Sequence, residues 1–487
     1  MLVNEFLEQS AKKYPDNTAV VYHNERVSYA ELDRQSDVLA LRLLERGVQR
    51  GDRVVLLLDN SHKYLIAFFA VFKSGGVVVP LNTQFVAREL EEVINDCSVS
   101  LIITEESAKN VLQGILNPDL LFTLQEPVAT EENTFYRHEN PASEDELAMI
   151  IYTSGTTGKP KGAMLSHKNL MANAASIIQY LKLTSADSVM VILPFYYSYG
   201  NSLLTTHIMA GATLVIDNRF VYPNVVLDTM EKEKVTGFAG VPSNFAILLR
   251  KSALRKYKLS SLRYVTQAGG GMPPSMIREF IDIVPRIKFY VMYGQTEACA
   301  RLTYLAPEAL LNKPGSIGKA IPGVEVNILN EKGEKVKPGE TGEIVARGEN
   351  VMLGYWNGPE ETATVLKKEG LWTGDLGRID EEGFVYLVSR KKEMIKSGAN
   401  RISPFEIEDV VCRLPGVIEC AAVGIPDGIL GEAIKICVVK DGIDLSHNDI
   451  LRYCKKNLAA FKIPKVIEFR KELPKTTTGK IKKKELV

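Results

Sequence analysis

The sequence predicts an α/β protein with a large N-terminal domain and a small C-terminal domain. Three observations support this prediction. The first half of the 487-residue chain alternates short β-branched runs with segments of helical length. After about Pro314, glycines and turns become dense, and alternating strand patterns replace helical ones. From Lys391 onward the chain is basic and carries the helix and strand pattern of a compact α+β unit.

The alternation in the first half predicts βαβ units, in which helices cover a mainly parallel sheet. The apolar run 52–58 predicts a buried strand, and 63–73 predicts the helix that follows it. The rhythm recurs further along, so we expect two such sheets that pack together. The other predicted strands are 76–80, 100–104, 213–216, 237–240, 264–267 and 289–292, and the other predicted helices are 88–97, 225–234 and 244–251.

The remaining segments predict a β-rich subdomain and a separate C-terminal unit. Residues 314–390 predict a small distorted barrel, which completes an N-terminal domain of residues 1–390. Residues 391–487 predict the C-terminal domain, in which Ser403 followed by Pro404 marks the start of a helix. Its predicted helices are 404–413 and 447–458, and its predicted strands are 419–424, 433–439 and 466–469.

The charge balance excludes a protein whose function depends on strong overall attraction to polyanions. The chain has 59 Lys and Arg and 59 Asp and Glu, so its formal net charge is zero. We therefore expect neither nucleic acid nor an anionic membrane as a partner. The balance is uneven, because residues 391–487 contain 19 basic and 13 acidic side chains.

Cysteine usage and the N-terminus predict a cytoplasmic protein. The six cysteines are scattered and form no CxxC pair, which favours free thiols over disulfides or a zinc site. The first residues predict an amphipathic helix rather than a signal peptide. The longest apolar runs, such as 64–72, are too short to span a bilayer.

The strongest local motif is residues 152–162, YTSGTTGKPKG, which combines three glycines with hydroxyl and lysine side chains. Glycines let backbone N–H groups approach an anion, and Lys159 adds a charged donor, so the segment suits a polyphosphate. It lacks the GxxxxGK[ST] spacing of a Walker loop. Because 162–165 predicts a strand, we expect the loop to join two strands.

Three further motifs follow predicted strands, where ligands bind in α/β sheets. Gly269, Gly270 and Gly271 would let a flat ring lie close to the backbone. In the segment 293–297, YGQTE, the tyrosine could stack on a base, Thr296 could bind a phosphate and Glu297 could hold Mg²⁺. Asp375 lies at a glycine turn, where it could accept both ribose hydroxyls. Each motif taken singly is equally compatible with ordinary turn chemistry.

Together these segments resemble the adenylate-forming superfamily of acyl- and aryl-CoA synthetases, adenylation domains and luciferases. The further matches are GEIVARGENVMLGYW, WTGDLG, SRKKEMIKSGANRISPFEIE and PKTTTGKIKKKEL, in family order and spacing over essentially the whole chain. The resemblance implies two half-reactions with MgATP. A carboxylate attacks the α-phosphate to give an acyl-adenylate and pyrophosphate, and a thiol then displaces AMP.

The resemblance also implies roles for individual residues. Glu297 would bind Mg²⁺, Tyr293 would stack on adenine beside the three glycines, and Asp375 and Arg390 would bind the ribose. Lys480 would bridge the substrate carboxylate and the α-phosphate, so the implied catalytic residues are Thr153, Glu297 and Lys480. The rest of the implied ATP site is Ser154, Gly155, Thr156, Thr157, Gly158, Lys159, Gly294, Gln295 and Thr296.

A mobile C-terminal domain is likewise an implication of the resemblance. Lys392 aligns with the hinge, and rotation there would withdraw Lys480 and present Lys396–Arg401 to the site. Gly398 matches the position that lines the pantetheine tunnel, so the hinge and thiol-tunnel residues would be Lys392, Lys396, Gly398 and Arg401. From the sequence pattern, Lys482, Lys483 and Lys484 are expected to form a solvated basic face.

The acyl pocket is less well defined by the sequence. Amino-acid adenylation domains place an aspartate near residues 193–200, where this chain offers Tyr196, Tyr197 or Ser198. None is acidic, and a buried ammonium without a partner is costly, which argues against α-amino acids. The tyrosines could meet a polar acyl group or simply pack. The other expected pocket residues are Val241, Ser243, Gln267, Met292 and Ala298.

The predicted function is therefore an AMP-forming acid:CoA ligase that uses ATP, Mg²⁺ and CoA. The alternative is a stand-alone ligase that loads the phosphopantetheine of a separate acyl carrier protein. A nucleotide-binding protein on an inactive scaffold is disfavoured, because the functional residues are all present: Thr156, Lys159, Glu297, Asp375, Arg390 and Lys480.

Overall fold

The structure is a computed structural model that describes residues 1–106, 120–124, 143–153, 160–391, 393–397, 400–441, 445–476 and 481–487. These ranges contain twelve α-helices and three β-sheets. The predicted α/β class is thereby confirmed. The helices α1–α12 are Asn4–Lys13, Tyr29–Glu45, His62–Lys73, Ala87–Cys97, His167–Leu181, Ser198–Ala210, Pro223–Lys232, Pro242–Lys251, Pro274–Ile283, Pro359–Val365, Pro404–Cys412 and His447–Asn457.

The strands lie close to the predicted runs in the first half of the chain and extend beyond them in the second. The strands β1–β13 are Thr18–Tyr22, Glu25–Ser28, Arg53–Leu57, Val77–Pro80, Leu101–Thr104, Leu121–Thr123, Leu147–Thr153, Lys161–Ser166, Ser188–Val191, Thr213–Ile216, Gly237–Gly240, Tyr264–Gln267 and Lys288–Tyr293. The strands β14–β26 are Thr303–Leu305, Ser316–Ala320, Val324–Leu329, Gly342–Gly348, Gly354–Tyr355, Leu366–Lys367, Gly370–Ile379, Val385–Arg390, Ile395–Ser397, Asn400–Ile402, Val417–Asp427, Gly431–Lys440 and Val466–Arg470.

The first sheet has seven strands in the order β18-β8-β7-β4-β3-β5-β6. Its central strands are parallel, whereas β7 and β8 form an antiparallel pair in which Thr153 lies opposite Lys161. The paired ends of β7 and β8 therefore flank residues 154–159, so the loop joins two strands as the sequence predicts. Residues 154–159 themselves lie outside the described ranges.

The second sheet has fourteen strands, and its parallel part runs β1-β10-β9-β11-β12-β13. Helix α3 lies between the two sheets, because its side chains share one core cluster with residues of β3 in the first sheet and β9 in the second. The Tyr64 ring, for example, lies 5.2 Å from the ring of Phe195. The expected packing of two sheets is thus present, and an apolar helix fills the space between them.

The β-rich region departs from the predicted barrel. Strands β16, β17, β20, β21 and β15 form an antiparallel series that joins β14 and continues the large sheet. Among the described residues, no strand pair closes this series on itself. The subdomain is therefore an open extension of the second sheet. One edge of β15 pairs with β21 and its other edge pairs with β14, so neither edge remains to close a barrel.

The third sheet has five strands and lies entirely within residues 395–470. Helices α11 and α12 pack on it around a core that includes Ile407, Ile436 and Ile450. Ser403 precedes α11 as predicted, but its hydroxyl donates to the Val388 carbonyl of β21 rather than capping the helix. This hydrogen bond ties the start of α11 to the end of the second sheet.

The C-terminal tail corrects the expectation of a basic face at Lys482–Lys484. The side chain of Lys483 is only 18% exposed, and its ammonium lies 2.8 Å from the Glu408 carboxylate and 3.5 Å from that of Glu393. Burial alone would lower the pKa of Lys483, but these two carboxylates raise it, so the side chain stays charged. Lys482 and Lys484 are exposed, in agreement with the expectation.

All six cysteines are free thiols, as predicted, and five of them are buried. Burial raises the pKa of the Cys412 thiol to about 12 and also raises that of Cys420, which makes both poor nucleophiles. Within the described part of the chain, no helix is both long and apolar enough to cross a bilayer.

Candidate functional site

The centre of the candidate site is a tight turn that follows strand β13. A Cβ on Gly294 would lie 2.2 Å from the carbonyl oxygen of Ala300, so only glycine allows the chain to fold back here. The Gln295 carbonyl accepts from the backbone N–H groups of Ala298 and Ala300. Cys299 and Ala300 have φ values of 51° and 91°, a strained backbone that the surrounding contacts must hold. The turn thereby fixes where Thr296 and Glu297 lie.

The Glu297 carboxylate is held by a residue to which the sequence analysis gave no role. The hydroxyl of Tyr355, on β18, donates to Glu297 Oε1 over 2.7 Å. Burial, followed by the Glu297 charge, raises the pKa of Tyr355, so its hydroxyl remains a donor. The backbone N–H of Met352 also donates to the Glu297 carbonyl, over 2.9 Å. Tyr355 lies in the GYW segment, whose tyrosine is the only sequence signal for this contact.

A second group of side chains joins the ends of β13, β20 and β21. The hydroxyl of Tyr293 donates to Asp375 Oδ2 over 2.7 Å, and Arg390 Nε lies 3.2 Å from Asp375 Oδ1. Burial and the Asp375 charge raise the pKa of Tyr293 well above its ordinary value. Asp375 is 4% exposed, whereas the side chain of Arg390 is 48% exposed. The structure thus brings together three residues that the sequence analysis placed at the ribose and adenine.

Glu343, to which the sequence analysis gave no role, contacts the chain on both sides of the Asp375–Arg390 pair, at Gly374 and at Lys391. Its Oε1 accepts from the backbone N–H of Gly374, the residue before Asp375, over 3.0 Å. Its Oε2 pairs with the ammonium of Lys391 over 3.2 Å. A buried glutamate therefore links the Asp375 turn to the first residue of the predicted C-terminal domain.

The three-glycine turn follows β12, the strand next to β13. Gly269 has φ +84°, a conformation that favours glycine, and a Cβ there would lie 3.1 Å from Val241 Cγ1. All three glycines are exposed, whereas Gln267 is fully buried. The Gln267 amide donates to the Gly270 carbonyl over 2.7 Å, and its Oε1 has no partner among the described residues. The backbone of this turn is therefore open to a flat ligand.

Some of the expected acyl-pocket residues lie at the start of α6 and at the neighbouring Thr296 turn. Ser198 is the first residue of α6, and its hydroxyl accepts from that of Thr296 over 3.3 Å. The rings of Tyr196 and Tyr197 are half-buried, with centroids 4.6 Å apart. Met292 and Ala298 are buried, as is Val241, and Ser243 is half-buried on the first turn of α8. The structure places Ser198, Met292 and Ala298 around the Thr296 turn.

Part of the predicted site falls outside the residues that the structure describes. Lys480, Lys392 and Gly398 lie outside the described ranges, as do Ser154, Gly155, Thr156, Thr157, Gly158 and Lys159. Thr153 is described, and its hydroxyl donates to the Lys161 carbonyl over 3.4 Å. Lys396 is exposed on β22, where its backbone pairs with that of Arg401 on β23. Lys475 and Ile481, which bracket 477–480, form an isolated antiparallel bridge.

The arrangement suits a nucleotide whose negative phosphate charge is neutralised partly by protein side chains and partly by a metal ion. Within the described residues, no group of three or more His, Cys, Asp or Glu side chains could hold a metal ion. A single oriented carboxylate such as Glu297 fits Mg²⁺, which keeps several waters and takes substrate phosphate oxygens as ligands. It does not fit a zinc site, which needs three or four protein ligands.

Comparison with protein families agrees with this chemistry. A family model described as AMP-binding enzyme matches residues 7–356, and one described as AMP-binding enzyme C-terminal domain matches residues 406–480. A long-chain-fatty-acid–CoA ligase of Escherichia coli O157:H7 is 34% identical over 99% of this chain and 93% of its own length. A feruloyl-CoA synthase of an Amycolatopsis species is 36% identical over 98% of this chain and 96% of its own length.

Solved structures show the same architecture over the full length. ATP-bound MatB from Rhodopseudomonas palustris superposes with a TM-score of 0.90 at 31% identity, covering 100% of this chain and 98% of MatB. The o-succinylbenzoate CoA synthetase MenE from Bacillus subtilis was solved in complex with its acyl-adenylate. It superposes with a TM-score of 0.89 at 30% identity, covering 99% of this chain and 97% of MenE.

Proposed function

Since the chain belongs to the family of AMP-binding enzymes and is an ATP-dependent, AMP-forming acid:CoA ligase, we propose that its two half-reactions take place at the Thr296–Glu297 turn. The enzyme uses ATP with Mg²⁺, a small carboxylic acid and CoA. The observation that carries the proposal is the link from Tyr293 through Asp375 to Arg390 beside that turn.

In the proposed ATP site, each described residue has a distinct task. Tyr293 stacks on adenine, whose opposite side lies along Gly269–Gly271. The Asp375 carboxylate accepts from the ribose hydroxyls, since an ionised carboxylate offers about four acceptor positions. Thr153 and residues 154–159 hold the β- and γ-phosphates, and Gly294, Gln295 and Thr296 face the α-phosphate.

The first half-reaction joins two anions, so the enzyme must offset their repulsion. The substrate carboxylate oxygen attacks the α-phosphorus, and the bond to the bridging oxygen breaks to release pyrophosphate. Glu297, oriented by Tyr355, would hold Mg²⁺, which neutralises charge on the phosphate oxygens. We propose that Lys480 bridges the carboxylate and the α-phosphate and supplies positive charge where it increases in the transition state.

The second half-reaction requires a different partner at the same carbonyl. The CoA sulfur attacks the acyl carbon, the bond to the AMP oxygen breaks, and AMP leaves with the electron pair. We propose domains of residues 1–390 and 391–487 that rotate about Lys392, bringing Lys396, Gly398 and Arg401 to the thiol path. The separate cores and the separate third sheet of residues 395–470 support this division.

A carrier protein is the alternative thiol donor. The C-terminal region carries six more basic than acidic side chains, which would suit either CoA phosphates or an acidic carrier surface. CoA ends in the same pantetheine thiol as a carrier protein with a free phosphopantetheine arm, so the two acceptors differ only beyond the reacting group.

The decisive experiment is incubation of the full chain with MgATP and a panel of carboxylic acids, with and without CoA, followed by mass analysis. We expect an acyl-CoA together with AMP and pyrophosphate. Acyl-adenylate that accumulates and is unaffected by CoA would favour the carrier-protein alternative. Absence of pyrophosphate release with every acid would contradict the proposed ligase chemistry.

A further inference from the structure

Glu343 is a buried carboxylate that joins two segments of the chain next to Asp375. Its side chain is 9% exposed and lies at the start of β17. Oε1 accepts from the Gly374 N–H over 3.0 Å, and Oε2 pairs with the Lys391 ammonium over 3.2 Å. The backbone N–H of Lys391 in turn donates to the Gly374 carbonyl over 2.9 Å. The Glu343–Lys391 pair therefore holds both polar backbone groups of Gly374.

These contacts lie at an irregularity in the pairing of β17 with β20. Glu343 pairs with Leu376. Two residues further along β17, Val345 pairs with Trp372, so a single β17 residue lies opposite the three β20 residues 373–375. Such a bulge interrupts the ladder of backbone hydrogen bonds and changes the direction of the side chains within it. Its last residue carries the carboxylate that we assign to the ribose, so the shape of the bulge determines where that carboxylate lies.

Side chains replace the hydrogen bonds that the bulge interrupts. The Glu343 carboxylate accepts from the N–H of Gly374, as described above. The Thr373 hydroxyl accepts from the N–H of Asp375 over 3.2 Å and donates to the Ile344 carbonyl over 2.8 Å. Gly374 has φ +75°, and a Cβ at this position would meet open space, so packing at this residue does not hold the turn. The shape of the bulge therefore depends on its polar contacts.

We infer that Glu343 is a positioning residue for ribose recognition, which acts through the backbone of the bulge on Asp375. This inference rests on the proposed function, in which the Asp375 carboxylate accepts from the ribose hydroxyls. Tyr293 and Arg390 contact that carboxylate directly, whereas Glu343 fixes the backbone that carries it. Because Lys391 belongs to the same network, loss of either partner of the ion pair should displace the carboxylate.

The test measures binding of AMP, 2′-deoxyAMP and 3′-deoxyAMP to the full chain by titration calorimetry. The fitted stoichiometry reports the folded fraction, whereas the ratio of the Kd values reports recognition of the ribose hydroxyls. We expect the wild type to bind AMP at least about ten-fold more tightly than either deoxy analogue, because each hydroxyl donates to a charged acceptor. In Glu343→Ala this ratio should fall to about three-fold or less. A role in folding alone would lower the stoichiometry and leave the ratio unchanged.

Two milder substitutions test the two contacts of the carboxylate separately. Glu343→Gln keeps an amide oxygen for the Gly374 N–H but cannot pair with the ammonium, and Lys391→Met removes the ammonium alone. Each should give a ratio between those of the wild type and Glu343→Ala. These variants also decide the question if Glu343→Ala does not fold, since a wild-type ratio in both would then overturn the inference.

Glu408→Gln is the matched control. Glu408, on α11 in the C-terminal unit, likewise accepts from a backbone N–H, that of Ala422, over 2.8 Å and pairs with the Lys483 ammonium over 2.8 Å. Its ratio should equal that of the wild type. A wild-type ratio in Glu343→Ala would overturn the inference and leave the proposed function intact. Equal binding of all three nucleotides by the wild type would instead refute the ribose role of Asp375, and the inference with it.

Discussion

At the scale of single residues, the Tyr355 hydroxyl holds the carboxylate that we assign to Mg²⁺. A carboxylate on a strained turn has several rotamers available, and one 2.7 Å hydrogen bond selects among them. The contact joins the YGQTE and GYW segments, which are about 60 residues apart in the chain and lie together only after folding.

We predict that Tyr355→Phe weakens the response to Mg²⁺ without unfolding the protein. The phenyl ring keeps the packing but leaves Glu297 without its donor, and a hydrogen bond to a charged group contributes ~1.5–3 kcal/mol. We therefore expect roughly 10- to 100-fold lower adenylation activity at limiting Mg²⁺, measured as pyrophosphate release over a Mg²⁺ titration.

Tyr257→Phe is the matched control for this substitution. The Tyr257 hydroxyl also donates to a carboxylate over 2.7 Å, that of Asp228, at the exposed surface. It should leave the Mg²⁺ titration unchanged. An equal loss in both variants, or no loss in Tyr355→Phe, would show that the Glu297 contact does not matter for metal binding.

At the scale of elements, helix α6 is anchored to the second sheet through a buried histidine. His207 Nδ1 lies 2.8 Å from the Leu203 carbonyl, and Nε2 lies 2.7 Å from the Tyr264 hydroxyl. With the proton on Nδ1, the ring donates to the carbonyl and accepts from the tyrosine. This neutral form satisfies both contacts, so protonation of Nε2 would break the second one.

We predict that this anchor makes stability depend on pH. Burial lowers the pKa of His207 to about 4, from about 6.5 in the unfolded chain. Between pH 4 and pH 6.5 the imidazole therefore binds more protons in the unfolded chain than in the folded one. Acidification stabilises the unfolded chain, so the free energy of unfolding decreases as pH falls from 6.5 to 4. The contribution of neutral His207 to the free energy of unfolding is complete above pH 6.5. It decreases by ~1.4 kcal/mol for each pH unit below that.

The measurement is urea unfolding at several pH values for the wild type and His207→Gln. The glutamine variant should show a shallower decline between pH 6.5 and 4, by about the slope of one titrating group. His447→Gln, at the exposed start of α12, controls for loss of an imidazole. Identical slopes in the wild type and His207→Gln would refute the assignment.

The C-terminal tail is a second element whose behaviour depends on tertiary contacts. Lys483 and Lys482 are adjacent in the sequence, yet Lys483 pairs with two carboxylates in a buried setting while Lys482 pairs with exposed Glu485 over 3.1 Å. Removing one member of a buried pair leaves an uncompensated charge, whereas exposed pairs contribute little.

We predict that Lys483→Met destabilises the C-terminal unit by ~3 kcal/mol and that Lys482→Met changes its stability by less than ~0.5 kcal/mol. Hydrogen exchange of α11 and of the strands β24–β26 in the full chain measures both effects. Similar protection in the two variants would contradict the structural difference between these neighbouring lysines.

At the scale of the whole molecule, the two half-reactions need different groups at one carbonyl. Residues from two regions must therefore reach the same place at different times, and a ligand can shift a two-state hinge only by its differential affinity for the two states. The Ser403–Val388 and Lys391–Glu343 contacts lie beside the proposed hinge and help to define one of these arrangements.

We predict that Lys480→Ala separates the half-reactions. Adenylation should fall by several orders of magnitude, because the variant lacks the charge that offsets repulsion between the carboxylate and the α-phosphate. Transfer to CoA from a supplied acyl-adenylate should be nearly unchanged. Single-turnover assays of each step provide the comparison, and equal losses in both steps would contradict the proposed role of Lys480.

Much of the fold and part of the site could be predicted from sequence, because the signals are local. Apolar runs of strand length in 52–58 and 264–267, the glycine turn at 269–271 and the YGQTE motif each depend on a few neighbouring residues. The resemblance to the adenylate-forming superfamily extended these signals to Arg390. Motif spacing therefore sufficed to predict that these residues lie together, and the structure shows the contact between Tyr293 and Asp375.

Other features were decided by tertiary structure, because they depend on which distant surfaces meet. The β-rich region looked like a barrel because strand patterns do not specify which edges remain free, and β15 pairs with β14 instead. Lys483 had the pattern of a solvated lysine, and only packing against Glu408 buries it. Arg301 follows an unremarkable ACA sequence, and it is buried only because Tyr199 and Ser202 of α6 pack against its guanidinium. By itself the sequence determined the local strands, turns and nucleotide motifs, since these arise from short-range periodicity and backbone freedom. The tertiary structure decided which charged side chains lie away from water and which groups contact them there, since desolvation depends on contacts across the whole fold.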